Sequence, residues 1–345
     1  MRSVCASIVL GLLFAPLPTM AATDGPAIAT HPDAAARLSA FRLPAAYGRT
    51  VDAALPASLD PGIRIAGLSS GVFHGFPSWL VQTPLATVAI SVSGGQLLSF
   101  VPTGGREVLW LSPQSDKPPL PVRGGTPVCW PYFARMGQAG GMPSHGLVRT
   151  ARWSVTQARR ESDGTLVLKL APPVLAGLPL RLTMTLRIGR TLSQTLETEN
   201  VGDQPVVFTQ ALHNYFRVSD VRKVTVSGLD GLTYLDKKDH GRAQRQQGDW
   251  QWPSSGYSDR IYTGATGPYV LHDPGLGRNI RITTRGSHSA VVWNAGEQAA
   301  RGIDDIGAGW RHYLSVEVTN VAPDAITLQP GERHELEQVI EVVER

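Results

Sequence analysis

From about residue 61 onward the chain repeats one pattern, short runs of alternating polar and apolar residues cut apart by Gly, Pro and Asp clusters. Thr165 to Leu170, Leu180 to Ile188 and Leu192 to Glu199 show it most clearly. A period of two places successive side chains on opposite faces of a strand, with one face left to be buried. Ala86 to Val92, Gln96 to Val101, Glu107 to Leu111, Pro205 to Leu212 and Val221 to Val226 read as further strands. So do Tyr269 to His272, Asn279 to Thr284, Ala290 to Trp293, Tyr313 to Asn320 and Leu336 to Val343. No stretch keeps a 3.6-residue stripe, and strands do not alternate with helices, which excludes a parallel α/β sheet. So many short strands predict an all-β fold, a large antiparallel sandwich in a single domain over 61–345.

The N-terminus has a different character. Met1-Arg2, an apolar run from Ile8 to Leu17, and Pro18-Thr19-Met20-Ala21 form the pattern of a secretory signal over 1–22, cut after Ala21 or Ala22. The run is too short to span a bilayer, so no stable membrane anchor is expected. The expected location is therefore outside the cytoplasm, as in a bacterial periplasm. Residues 23–60, rich in Ala and Pro, read as a spacer and lead-in. Loss of Cys5 with the signal leaves Cys129 alone, so no internal disulfide is expected and burial must stabilise the core. The net charge of +4 includes no basic run, which argues against a nucleic-acid partner.

Phosphate-loop, dinucleotide and zinc-protease motifs are absent. Gly67-Leu68-Ser69-Ser70-Gly71 matches a serine-hydrolase elbow in form, but Val72 to Pro77 cannot supply the helix that must follow, so it reads as a turn. What remains is a series of polar residues set among Gly, Pro and aromatics. Arg123 beside Gly124-Gly125 could reach an anion or be a solvated turn residue. His145 and Arg149, four apart after Ser144, could face one cleft, or His145 could be structural. On the Leu212-His213-Asn214-Tyr215 strand, His213 and Tyr215 share a face. A His among aromatics suits acid/base chemistry, though a core His is equally consistent. Asp259-Arg260 could be a surface ion pair. Glu317 shares a strand face with Ser315 and Tyr313, which is either solvated or, if buried, expensive unless functional.

Taken in order, these segments resemble the aldose 1-epimerase superfamily, and within it the glucose-6-phosphate 1-epimerase (hexose-6-phosphate mutarotase) branch. The resemblance rests on Arg123 to Pro131, His145 to Arg149, His213 to Phe216, Asp259 to Tyr262, Val291 to Asn294 and Val316 to Asn320. It implies a galactose-mutarotase-like β-supersandwich. It also implies His213 as the general acid at the ring oxygen and Glu317 as the base at the anomeric hydroxyl. Arg123 and Arg149 match phosphate-binding positions, Asp259 a sugar-hydroxyl ligand, and His145 a histidine beside the ring oxygen. Ser144 stands where the family commonly has Gln or another ligand. Asp304 to His312 departs from the family's acidic-pair pattern and reads as loop variation. Mutarotation needs one acid and one base, so no cofactor or metal is expected, and the partner is a small sugar or sugar phosphate met by a monomer. A uronate would fit the two Arg residues as well. Two competing readings are a non-catalytic exported carbohydrate-binding protein of the same fold, and a hydrolase or lyase using Glu317 with Asp259.

Overall fold

The computed structural model describes residues 63–136 and 142–344. The expected signal over 1–22 and the spacer over 23–60 lie outside the described residues. The regular structure described is almost entirely antiparallel β-sheet, arranged as a large sandwich.

A meander of four strands, Leu68–Phe73, Phe76–Gln82, Ala86–Ser91 and Leu97–Pro102, forms one sheet. The largest sheet has nine strands and runs from Trp250–Gln251 through Arg278–Arg285, Arg333–Glu344, Leu192–Asn200 and Leu180–Ile188 to Ser154–Arg160. The sheet that carries the site runs Arg242–Arg245, Thr233–Asp236, Ser258–Thr263, Ser289–Asn294, Tyr313–Asn320, Gln210–Leu212 and Val128–Cys129, with Tyr215–Arg217 also paired to Tyr313–Asn320.

Alternation decides which faces meet. In Leu180–Ile188, Leu180, Leu182, Met184, Leu186 and Ile188 are buried, while Arg181 is exposed and the residues between are half-buried. Five buried side chains contribute on the order of 10 kcal/mol before conformational entropy is charged against them. They join Leu314, Val316 and Val318 of the site sheet in one contiguous apolar cluster. Several polar links cross this interior, among them Thr198 to Gln210 and His334 to Asn320. Asn214 Nδ2 donates to Gln338 Oε1 (2.7 Å) and to Val316 O (3.0 Å), and Gln338 Nε2 donates back to Asn214 Oδ1 (2.9 Å). A buried amide pair satisfied on both sides sets the register of the two sheets.

Several strand expectations need correction. Glu107 to Leu111 is not a strand but makes isolated bridges, Leu109 to Phe216 and Leu111 to Gly124, because Glu107 turns inward to bond Phe100 N and Leu109 N. Val221 to Val226 opens as a 3-10 turn, Val221–Lys223, since Asp220 caps Arg222 N, and only Thr225–Ser227 is extended. Pro205 to Leu212 splits into Val206–Phe208 and Gln210–Leu212 in different sheets. At the break, Thr209 bonds Pro131 O and Phe133 N instead of a neighbouring strand. Gly67 to Gly71 is not a turn either. Leu68–Phe73 is a strand of a hairpin with Ser69 and Ser70 exposed, so no nucleophile elbow forms.

Candidate active site

Three rungs on the outer face of the site sheet build the floor. Directly opposed residues on antiparallel strands share a face, and so do residues two apart along a strand. Asp259, Trp293, Ser315 and Tyr215 oppose one another across successive strands, and Ile261, Val291 and Glu317 form the next rung. Thr319, Ala211 and Cys129 form a third. Loops and turns then close over this face. All eight residues of Tyr313–Asn320 are buried, so the face bearing Glu317 is not solvated.

His213 and Glu317 meet here. His213 Nδ1 lies 3.4 Å from Glu317 Oε1, with the two residues 8 % and 1 % exposed. The imidazole stacks parallel to Tyr215 (4.9 Å between centroids, 4° between planes), and Trp293 stands edge-on to it at 6.0 Å. Among the described residues neither His213 Nδ1 nor Glu317 Oε2 has a hydrogen-bond partner, and the hydroxyl of Ser315 beside them is also buried without one. Orphaned buried polar atoms are costly, and several converging on one cleft mark a place for a polar ligand. Burial pushes the Glu317 carboxyl well above the usual carboxylate range, aided by the charge of Asp259 and opposed by Lys237 and Arg149. Burial also holds His213 well below the ordinary imidazole range, reinforced by Arg149 and Arg123. Both shifts favour the neutral imidazole and neutral acid over the ion pair. That form holds as many protons as imidazolium plus carboxylate, so one transfer within the pair separates the two.

His145 forms the adjacent wall, its ring 5.5 Å from that of His213 and edge-on to Phe133 at 4.9 Å. The amide of Ala134 donates to His145 Nδ1 (3.3 Å), and Cys129 Sγ stands 3.4 Å from the same nitrogen. Burial pushes the Cys129 thiol up to about 12, so it stays an S–H group. An amide can only donate, so Nδ1 is an acceptor and neutral His145 carries its hydrogen on Nε2. Burial and the nearby Arg149 keep His145 well below the usual range. His145 and Ala134 both have positive φ, 65° and 50°, a cost retained where geometry matters. Ser144, partly exposed, joins the site only as the chain neighbour of His145.

The two arginines differ. Arg123 Nε donates to Asp305 Oδ2 (3.0 Å) and its Nη1 to the Tyr215 hydroxyl (3.0 Å), so its charge is compensated and much of its fork occupied. Arg149 has no ion pair among the described residues, and its Nε is buried without a hydrogen-bond partner. The uncompensated cation of the cleft is Arg149. Asp259 and Arg260 are not a surface ion pair. Asp259 accepts from the Tyr257 hydroxyl (3.1 Å) and pairs with Lys237 (3.4 Å), whereas Arg260 bonds Gln246 and lies over the Tyr234 ring. Burial nonetheless pushes the Asp259 carboxyl up, outweighing Lys237 and Tyr257.

All the residues expected at the site except Ser144 are thus tied into one cluster. Two of its members carry no local signal. Lys237 arrives on a separate 3-10 turn, and Asp305, read above as loop variation, holds Arg123. Among the described residues no group of His, Cys, Asp and Glu is arranged to hold a metal ion. No described helix is long and apolar enough to cross a membrane.

The family model for aldose 1-epimerase matches residues 77–341, which contain every group just described. The chain belongs to the aldose 1-epimerase family. It is 31% identical over 273 residues to a Salmonella typhimurium protein named "Putative glucose-6-phosphate 1-epimerase", covering 77% of this chain and 90% of that one. A Cenchrus ciliaris protein of the same name is 31% identical over 259 residues, covering 70% and 77%. Among solved structures, one described as a "putative mutarotase" from Salmonella typhimurium superposes with a TM-score of 0.74 at 27% identity, covering 84% of this chain and 97% of that one. The chain is accordingly an isomerase of the aldose 1-epimerase type, and the cleft has the groups that such chemistry asks for.

One glycine of this epimerase cleft is irreplaceable by simple geometry. Gly146, next to His145, has φ +88°, and a Cβ there would lie 2.1 Å from Trp130 O. Gly146→Ala is expected to cost about 3 kcal/mol, measurable by thermal or urea unfolding, and to move His145 out of register.

Proposed function

We propose that this protein interconverts the α and β anomers of a hexose 6-phosphate, with Glu317 as base and His213 as acid. The observation that carries the reading is the His213–Glu317 pair itself, 3.4 Å apart, buried, with unpartnered polar atoms facing one cleft. In its ion-paired form Glu317 takes the proton from O1 as the C1–O1 bond becomes a carbonyl. The C1–O5 bond breaks with its electron pair on O5, and His213 protonates O5. Rotation about C1–C2 and the reverse transfers close the ring on the other face, returning both protons. His145, hydrogen on Nε2, supplies a neutral donor to the ring oxygen, and Asp259 accepts from sugar hydroxyls. Arg149 is the natural seat for the phosphate, since an anion there meets a charge that no ion pair compensates among the described residues. Arg123, anchored by Asp305, then forms the second side of the anion site.

The carboxylate-pair hydrolase reading is less well supported, because Asp259 already spends its Oδ2 on Tyr257 and Lys237. The test is anomer exchange measured by NMR on glucose 6-phosphate, galacturonate and glucose. Exchange of glucose 6-phosphate well above the buffer rate, and above that of glucose, is expected. A rate equal to buffer on all three sugars would overturn the reading.

A further inference from the structure

Lys237 takes no part in the scheme above, yet its side chain ends in the cleft. It opens the 3-10 turn Lys237–Asp239, which is N-capped by Asp236 through Lys238 N (2.9 Å). Nζ lies 3.4 Å from Asp259 Oδ2 and 5.9 Å from the centre of the Phe133 ring. The side chain is 29 % exposed, so the ammonium keeps part of its hydration while reaching a buried carboxylate. No other cation is ion-paired with Asp259 among the described residues, since Arg260 points to the opposite face.

Asp259 and Glu317 sit on adjacent rungs of one buried sheet face. Two carboxylates in such a place resist joint ionisation, because each raises the cost of charging the other. The charge of Asp259 is, after burial, the main influence keeping Glu317 protonated, and Lys237 is the first to oppose it. Lys237 is likewise the leading counterweight to burial at Asp259. The other groups facing the pair do not substitute for it. Around Glu317 stand His213, Cys129, Tyr215 and Arg149, of which only Arg149 is a fixed cation. Around Asp259 stand Tyr257 and Asp236, neither of them cationic.

We propose that Lys237 is a positioning residue of the epimerase reaction, holding Asp259 ionised as a sugar-hydroxyl ligand so that Glu317 exchanges protons alone. This rests on Glu317 being the base, and the experiment separates the two. Lys237→Met and Lys237→Arg are made in the full chain. Carboxyl titrations are followed by 13C NMR of labelled Asp and Glu, with Glu317→Gln and Asp259→Asn identifying the signals. In Lys237→Met, Asp259 is expected to take up its proton at higher pH than in wild type. The acidic limb of kcat/KM for glucose 6-phosphate exchange is expected to move the same way. Activity would then be about tenfold lower at pH 6 and near wild type at pH 9. Lys237→Arg restores both, and Asp259→Asn in the Met background returns the limb toward its wild-type position. A merely structural Lys237 would lower activity evenly across pH and leave the carboxyl titrations alone. Unchanged titration of Asp259 in Lys237→Met overturns the proposal, whatever the activity. Wild-type protein that fails to exchange any anomer overturns the assignment of the base, while the titration still reports on Lys237.

Discussion

Glu317→Gln is expected to reduce anomer exchange about a thousandfold or more, close to the buffer rate, while making the protein more stable at neutral pH. The first half follows from the loss of the only proton acceptor assigned to O1, since a positioned acid or base contributes roughly 10²–10⁴ in rate. The second half follows from linkage. Burial and Asp259 raise the folded-state pKa of Glu317, so the folded protein binds more protons than the unfolded chain between the ordinary carboxylate value and that raised one. The contribution of Glu317 to stability is therefore complete below about pH 4.5 and is lost as pH rises through the folded value. Gln has the same shape and never ionises. The variant should match wild type near pH 4 and exceed it increasingly toward pH 8, by about 1–2 kcal/mol. Unfolding curves at a series of pH values check this, and a variant that loses stability relative to wild type as pH rises would contradict it. An inactive but more stable variant would show that the carboxylate is kept for its chemistry against a folding cost.

Arg149→Met is expected to lower kcat/KM for glucose 6-phosphate about a hundredfold, and exchange of unphosphorylated glucose far less, the smaller loss reflecting its charge beside Glu317 and His213. A charge-assisted hydrogen bond is worth about 1.5–3 kcal/mol, and Arg149 is the cation in the cleft with no ion pair among the described residues. Removing it strands no partner. Arg123→Met behaves differently, because it strands the half-buried Asp305 and frees the Tyr215 hydroxyl beneath His213. Its loss should affect both sugars and lower the melting temperature. Side-by-side kinetics on the two sugars decide the matter. Equal losses on both sugars in Arg149→Met would remove that residue from anion recognition.

Much of this site could be read from local pattern because it is built from strands. Alternation alone puts Glu317, Ser315 and Tyr313 on one side of Tyr313–Asn320, whereas His213 falls in the break between Gln210–Leu212 and Tyr215–Arg217 and stacks on Tyr215 from there. Flanking Gly and Pro mark the loops that bring Arg123 and His145 near a cleft. The strand misreadings occur where a side chain competes for the backbone. Glu107, Asp220 and Thr209 each bond local or loop amides and interrupt a run that alternation would have extended.

Residue order suffices for the period, the fold class it implies and the neighbours of each residue along its own strand. That the Glu317 face is buried is settled by packing, because burial depends on what lies above it and not on spacing. Lys237 and Asp305 enter for the same reason. Each lies far along the chain from its partner, and a charge on a turn or loop carries no mark of the carboxylate or guanidinium it will meet. Orphaned atoms and unlike arginines are also properties of the assembled cleft. A hydrogen bond exists only between groups that folding has brought within about 3 Å, and strand periodicity cannot specify that distance.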